Sequence, residues 1–147
     1  MNDAGEIRAA LASARTIAVV GCSPNPDRPS NTIARYLLQQ GYEVIPVNPG
    51  HRTILGRTCY RSLDEIPREV KIDIVDVFRR SDQVRPVAEA AIARGVGFFF
   101  MQVGVVDGDS ARKLEGAGIP VAMDRCILVE HASQGLTSRN FEARAER

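Results

Sequence analysis

The apolar run Thr16-Ile17-Ala18-Val19-Val20 gives way at once to Gly21-Cys22-Ser23-Pro24-Asn25-Pro26-Asp27-Arg28-Pro29-Ser30-Asn31-Thr32. This is a glycine, a proline-stiffened turn and a cluster of short polar side chains. A helix-compatible segment, Ile33 to Gln40, comes next. Gly21 lets the backbone leave the strand without a Cβ clash. The residues ahead of Ile33 can cap the helix and leave N–H groups aimed at an anion. A strand, a glycine turn and a capped helix in that order predict an α/β domain with a phosphate site. The loop is not G-x-G-x-x-G, and no Gly-Lys-Ser/Thr comes after it. Neither the dinucleotide fingerprint nor the P-loop is therefore present.

The rest of the chain repeats the alternation. Asp3 to Arg15 reads as a short amphipathic helix, with Ile7, Ala10, Leu11 and Ala14 at helical spacing. Ile17–Val20 is a buried strand, Asn31–Gln40 a helix that stops at Gly41, and Tyr42–Val47 a second strand closed by Asn48-Pro49-Gly50. A loop carries His51, Arg52, Gly56 and Arg57, and a turn or short helix comes at Ser62–Pro67. Ile72–Phe78 is the third strand, and Ser81 and Asp82 are placed to cap a helix from about Gln83 to Arg94. Pro86 falls in its first turn, where proline is tolerated. Gly97–Met101, the helix Asp107–Glu115 and Ile119–Met123 complete the pattern. Apolar strands alternating with helices predict a doubly wound, five-stranded, mainly parallel sheet with helices on both faces. Residues 1–133 are expected to form one domain, and 134–147 a polar C-terminal tail with little to pack.

Composition narrows the function. A chain of 147 residues with formal net charge +1 shows no basic excess, which argues against a nucleic-acid binder. No stretch approaches the ~20 apolar residues of a membrane span, and the first residues lack a basic and apolar leader pattern, so a cytoplasmic protein is expected. Cys22, Cys59 and Cys126 are odd in number and widely spaced, which fits reduced thiols, and no Cys-x-x-Cys points to a metal.

In folds of this class ligands sit beyond the carboxyl ends of the strands. Those ends supply Gly21-Cys22-Ser23, Asn48-Pro49, Phe78-Arg79-Arg80-Ser81, Gln102-Val103-Gly104 and Asp124-Arg125-Cys126. A dinucleotide fold would carry an acid after the second strand to grip ribose hydroxyls. This chain has Val47-Asn48-Pro49, then His51 and Arg52, which suits an adenosine with an extra phosphate better than plain NAD. Arg28, just ahead of the helix, can pair with a phosphate through its planar fork. A nucleophile needs a base in reach, and neither His51 nor His131 has an evident pairing with Cys22 or Ser23. Cys126 with His131 is the nearest approach to such a pair, and no catalytic residue is assigned.

Taken together, these motifs resemble the small single-domain CoA-binding proteins. They run from Val19 to Ser30, from Gly41 to Pro49 and from Asp76 to Ser81, with Gln102-Val103-Gly104 and Met123 to Cys126. Those proteins are similar to the N-terminal CoA-binding domain of the succinate–CoA ligase α subunit. The resemblance covers roughly residues 5 to 131, with Phe100 standing where relatives often carry a tryptophan. It implies a Rossmann-like fold that binds coenzyme A or an acyl-CoA, with no established reaction. Carried onto this chain, it implies that Gly21, Cys22, Ser23, Pro24, Arg28, Pro29, Ser30 and Asn31 form the phosphate site. Cys22 and Ser23 then present backbone and hydroxyl donors. Asn48 and Pro49 shape the adenosine side, Val77, Phe78 and Arg79 form a wall, and Gln102, Gly104 and Cys126 complete the edge. Two other readings remain open at this point, an NAD(P)-linked oxidoreductase and a scaffold domain with a degenerate loop. The missing acid after strand two and the lack of a substrate domain weigh against the first. Intact Gly21, Ser23, Arg28 and Ser30 weigh against the second. The residues name no oligomeric state and no protein partner.

Overall fold

The structure, a computed structural model, describes residues 1–136. It contains α1 (Ala4–Ser13), β1 (Thr16–Val20), α2 (Pro29–Gln39), β2 (Glu43–Val47), β3 (Thr53–Ile54), β4 (Arg57–Thr58), β5 (Ile74–Val77), α3 (Val84–Arg94), β6 (Phe98–Met101), α4 (Gly108–Gly116), β7 (Val121–Met123) and α5 (Ile127–Ser133). Short 3-10 turns precede β5, at Leu63–Glu65, and α3, at Ser81–Gln83. The main sheet has the order β2-β1-β5-β6-β7, and every pairing in it is parallel. This is the Rossmann-like architecture expected from the alternation.

The strands are apolar on both sides because helices cover both faces. On one face Ala18, Val20, Val75, Val77, Phe99 and Met101 pack against Val84, Ala88 and Ala91 of α3 and Ala111 and Leu114 of α4. On the other, Ile17, Val19, Ile74, Phe98 and Phe100 pack against Ile7 and Leu11 of α1, Ile33 and Leu37 of α2 and Ile127 of α5. Gly97 is required at the entry to β6, since a Cβ there would lie 2.8 Å from Asp73 O.

Three local expectations change. The segment read as a loop around His51 to Arg57 holds a small antiparallel hairpin, Thr53–Ile54 against Arg57–Thr58. The chain after β7 forms an additional helix, α5, which seats Ile127 and His131 in the core. Ser81 does not cap α3. Its hydroxyl instead accepts from Val106 N–H (2.9 Å) and donates to Gly104 O (3.4 Å), tying two strand-end loops together. Beyond Ser133, Arg8 donates to Gln134 O and Leu136 is buried, and residues 137–147 lie outside the described residues. Among the described residues no helix is long and apolar enough to cross a membrane.

Candidate functional site

The strand order reverses at β1. From β1 the chain goes first to β2 on one side and then, after the hairpin, to β5 on the other. At such a point neighbouring loops part and leave a crevice at the carboxyl ends of the strands. Here the crevice is floored by backbone. Gly21 has φ 85°, and a Cβ at that position would sit 2.6 Å from Phe78 O. A cleft of about 340 Å³ opens above this contact, lined by Gly21, Ser23, Arg28, Pro29, Ser30 and Phe78. Five of the expected phosphate-site residues and Phe78 are thus brought to one place.

The loop between β1 and α2 is held by its own side chains. Ser23 N–H donates to Ser30 Oγ (2.9 Å), and Asn25 N–H donates to Ser23 Oγ (3.1 Å). Asn31 Nδ2 donates to Ser23 O (2.9 Å), while its Oδ1 accepts from Arg35 Nε (2.8 Å). Arg35 also reaches Pro26 O (3.0 Å). The helix begins at Pro29 rather than Asn31, with Arg28 as the cap residue and no side-chain cap bond. Ser30 and Asn31 therefore lie in the first turn, where they brace the loop.

These bonds decide which donors remain. Cys22 N–H, expected to face the phosphates, donates to Val47 O (3.3 Å), and Gly21 N–H donates to the same oxygen (2.9 Å). The Cys22 side chain is fully buried, and burial pushes its thiol up to about 12, with Cys59 and then Asp76 adding to the effect. At neutral pH it stays protonated and is no nucleophile. What is left for an anion is the Ser30 N–H, the hydroxyl protons of Ser23 and Ser30, and the Arg28 guanidinium. Arg28 is exposed, and its side chain has no hydrogen bond or ion pair among the described residues.

The remaining expected residues fall into two groups. Asn48 is a brace: its Nδ2 donates to Cys22 O (2.9 Å) and its Oδ1 accepts from Gly50 N–H (2.9 Å). Pro49 and Pro24 are exposed at the rim. Val77 turns its side chain into the α3 face of the core, so only its backbone reaches the crevice. Gln102 is buried, and its Oε1 accepts from Ile127 N–H (3.0 Å), fixing the start of α5. Gly104 N–H donates to Asp124 Oδ1 (2.7 Å). Cys126 is half-buried at the entry to α5. Gln102, Gly104 and Cys126 are thus brought to the edge beside Phe78 but do not line the cleft. His131, considered as a partner for Cys126, is buried, with Nδ1 2.7 Å from the Tyr36 hydroxyl.

Two further features emerge only in three dimensions. A second cavity, of about 140 Å³, lies on the α3 side of the sheet. Arg79 and Arg61 line it together with apolar walls that include Val20, Val47, Leu63 and Val87. The other feature is Asp76, wholly buried in β5, whose carboxyl oxygens have no hydrogen-bond partner among the described residues. Its register partners Val19 and Phe100 place it on the α2 face. Desolvation holds its carboxyl well above the usual carboxylate range. An acid inside the otherwise apolar run Ile74-Val75-Asp76-Val77 is the signal that could have found it.

A parallel sheet whose strand order reverses at a glycine turn, with free donors at the helix beyond it, defines a Rossmann-like domain with a polar crevice at the switch point. Over residues 15–132 the chain matches the family described as "CoA binding domain", and it belongs to that family. It is 42% identical over 127 residues to the uncharacterized protein YneT of Bacillus subtilis, a match spanning 86% of this chain and 93% of that protein. A solved hypothetical protein from Pyrococcus horikoshii has a TM-score of 0.84 at 36% identity, covering 89% of this chain and 91% of that one. A stretch of 63 residues is 40% identical to acetate–CoA ligase (ADP-forming) I of Archaeoglobus fulgidus, which is 43% of this chain and 9% of the ligase. The resemblance drawn from the strand-end motifs holds, both for the family and for its relationship to a CoA ligase.

Proposed function

We propose that this chain binds coenzyme A, free or acylated, with its diphosphate seated in the crevice between Gly21 and the first turn of α2. The observation that carries the reading is the set of unused donors at one spot. Ser30 N–H, the Ser23 and Ser30 hydroxyls and the Arg28 guanidinium all border one cleft with Gly21 and Phe78. The N-terminal end of an eleven-residue helix adds a positive dipole there. Gly21 lets a phosphate approach the backbone closely, and Arg28 supplies a charge-assisted fork. Asn48, through Cys22 O, keeps the loop in the shape that exposes these donors. Val47-Asn48 at the end of β2 offers no carboxylate for a ribose diol, which disfavours NAD. No residue is assigned a catalytic role. The chain spans a small part of the acetate–CoA ligase it matches, and no ligase chemistry is proposed for it.

Calorimetric titration of CoA, with NAD as comparison ligand, tests the reading. Saturable binding of CoA with at least tenfold weaker binding of NAD is expected. Equal affinity for the two, or no heat with CoA at millimolar concentration, would overturn it.

A further inference from the structure

The two edges of the main sheet are closed in different ways. The outer side of β2 is met by the chain just beyond the hairpin. Tyr60 N–H donates to Pro46 O (3.1 Å), and Asn48 N–H donates to Tyr60 O (2.9 Å). At the other end of the strand order stands β7. Along a strand the backbone groups point alternately to one side and the other. Pro120 O accepts from Phe99 N–H (3.0 Å) in β6, so the groups of Val121 and Met123 face away from the sheet. These two residues carry two N–H and two C=O groups, and Asn2 takes three of the four. Its own N–H donates to Val121 O (2.9 Å) and its Nδ2 donates to Met123 O (3.1 Å). Its Oδ1 accepts from Met123 N–H (2.6 Å).

One carboxamide thus meets the N–H and the C=O of the same residue, as a peptide group of a neighbouring strand does. Asparagine suits the place for two reasons. Its side chain both donates and accepts, and it tolerates the left-handed backbone found here, with φ 57°. Asp3 comes next as the cap of α1, its carboxylate accepting from Glu6 N–H (2.9 Å). The strap is therefore anchored to a helix whose Ile7 and Leu11 pack on the sheet. A strand edge with open N–H and C=O groups is a template for another chain. We propose that Asn2 guards this edge, and that without its carboxamide β7 pairs antiparallel with β7 of a second copy of this chain. An identical edge is the occupant that fits. Across a two-fold axis Val121 and Met123 stand opposite one another and exchange both of their bonds. Ala111 and Leu114 of α4 cover Val121 on one face, and Ile127 of α5 covers Ala122 on the other. The pairing extends the sheet without uncovering its core. It goes beyond the CoA reading and does not depend on it.

The test follows the weight-average mass of the intact chain against concentration by sedimentation equilibrium, after circular dichroism has shown each variant folded. The wild type is expected to keep one mass up to millimolar concentration. Asn2→Gly deletes the carboxamide and keeps the backbone conformation. Its mass should rise with concentration toward twice the wild-type value. Adding Met123→Pro removes the outward N–H and sets a ring where an outer strand must pair. The mass should then return to that of the wild type. Amide exchange gives a reading that needs no proline: Met123 N–H should be better protected in concentrated than in dilute Asn2→Gly. No rise in mass for Asn2→Gly, or a rise that persists with Met123→Pro, overturns the proposal. Equal protection of Met123 at both concentrations overturns it as well, and so does a wild type that associates as strongly as Asn2→Gly.

Discussion

Gly21 lies close against the main chain of Phe78: a Cβ on the one would lie 2.6 Å from the carbonyl oxygen of the other. That contact closes the floor of the crevice and leaves no room for any side chain at position 21. Gly21→Ala adds the strain of a positive φ to a clash with main chain, which cannot rotate away. The expected cost is about 2–4 kcal/mol of stability, read by urea denaturation. Crevice binding of CoA should be lost in the fraction that still folds. A variant as stable as the wild type would mean that β1 and β5 part more easily than the packing implies.

Arg28 is expected to matter for binding and not for folding. Its guanidinium is exposed and makes no hydrogen bond or ion pair within the described residues. Arg28→Ala should weaken CoA binding by about 1.5–3 kcal/mol and leave the melting temperature within a degree or so of wild type. Calorimetry that finds the same affinity in both proteins would reduce Arg28 to a solvated loop residue.

Asp76 is expected to make stability fall as pH rises. Burial raises its folded-state pKa, so the folded chain holds a proton that the unfolded chain releases. The stability from this group is complete below the unfolded value of about 3.9 and is lost as pH rises toward the folded value. Across that window it contributes a fall of up to about 1.4 kcal/mol per pH unit. Asp76→Asn keeps the shape without the titrating proton, so its stability should fall less steeply than that of wild type as pH rises above the unfolded carboxylate value. Parallel slopes from chemical denaturation at several pH values would rule this role out.

Arg94, at the end of α3, holds the segment before β5 in place. Its guanidinium donates to the carbonyls of Leu63 (3.1 Å), Ile66 (2.7 Å), Pro67 (2.5 Å) and Val70 (3.0 Å). Arg94→Ala strands several of these oxygens and should cost about 3 kcal/mol in a urea denaturation series. Arg94→Lys should recover less than half, because one ammonium cannot span the four acceptors. The change also loosens Leu63, a wall of the second cavity.

The strand ends are legible in the sequence because each is marked by a glycine, a proline or a polar pair after an apolar run, as at Val20-Gly21 and Val47-Asn48-Pro49. The α/β alternation carries the fold in the same way. The β3–β4 hairpin is not legible: its strands are two residues each, and its turn places Leu55 at φ 55° ahead of Gly56. Such turns ordinarily announce themselves with Asn-Gly or Asp-Gly. The helix α5 is only seven residues long, with Ile127 and His131 as its buried pair, too short to print a period. Val77 and Cys22 are expected at the site by position along the chain, and side-chain direction sends both into the core. The second cavity draws on residues from Val20 to Ala90, which meet only through the crossover from β2 to β5.

Whether the crevice at Gly21 is a CoA site is decided by the melting temperature of the chain with CoA, NADP and ATP, each at the same millimolar concentration. A ligand at 100 times its dissociation constant adds about 2.7 kcal/mol to the stability of a protein that binds it only when folded. For a chain of this size that is a rise of roughly 5–10 °C. Such a rise is expected with CoA, a smaller one with NADP and ATP, and a diminished CoA response in Arg28→Ala. Equal shifts with all three ligands, or none with CoA, would refute CoA binding at this site.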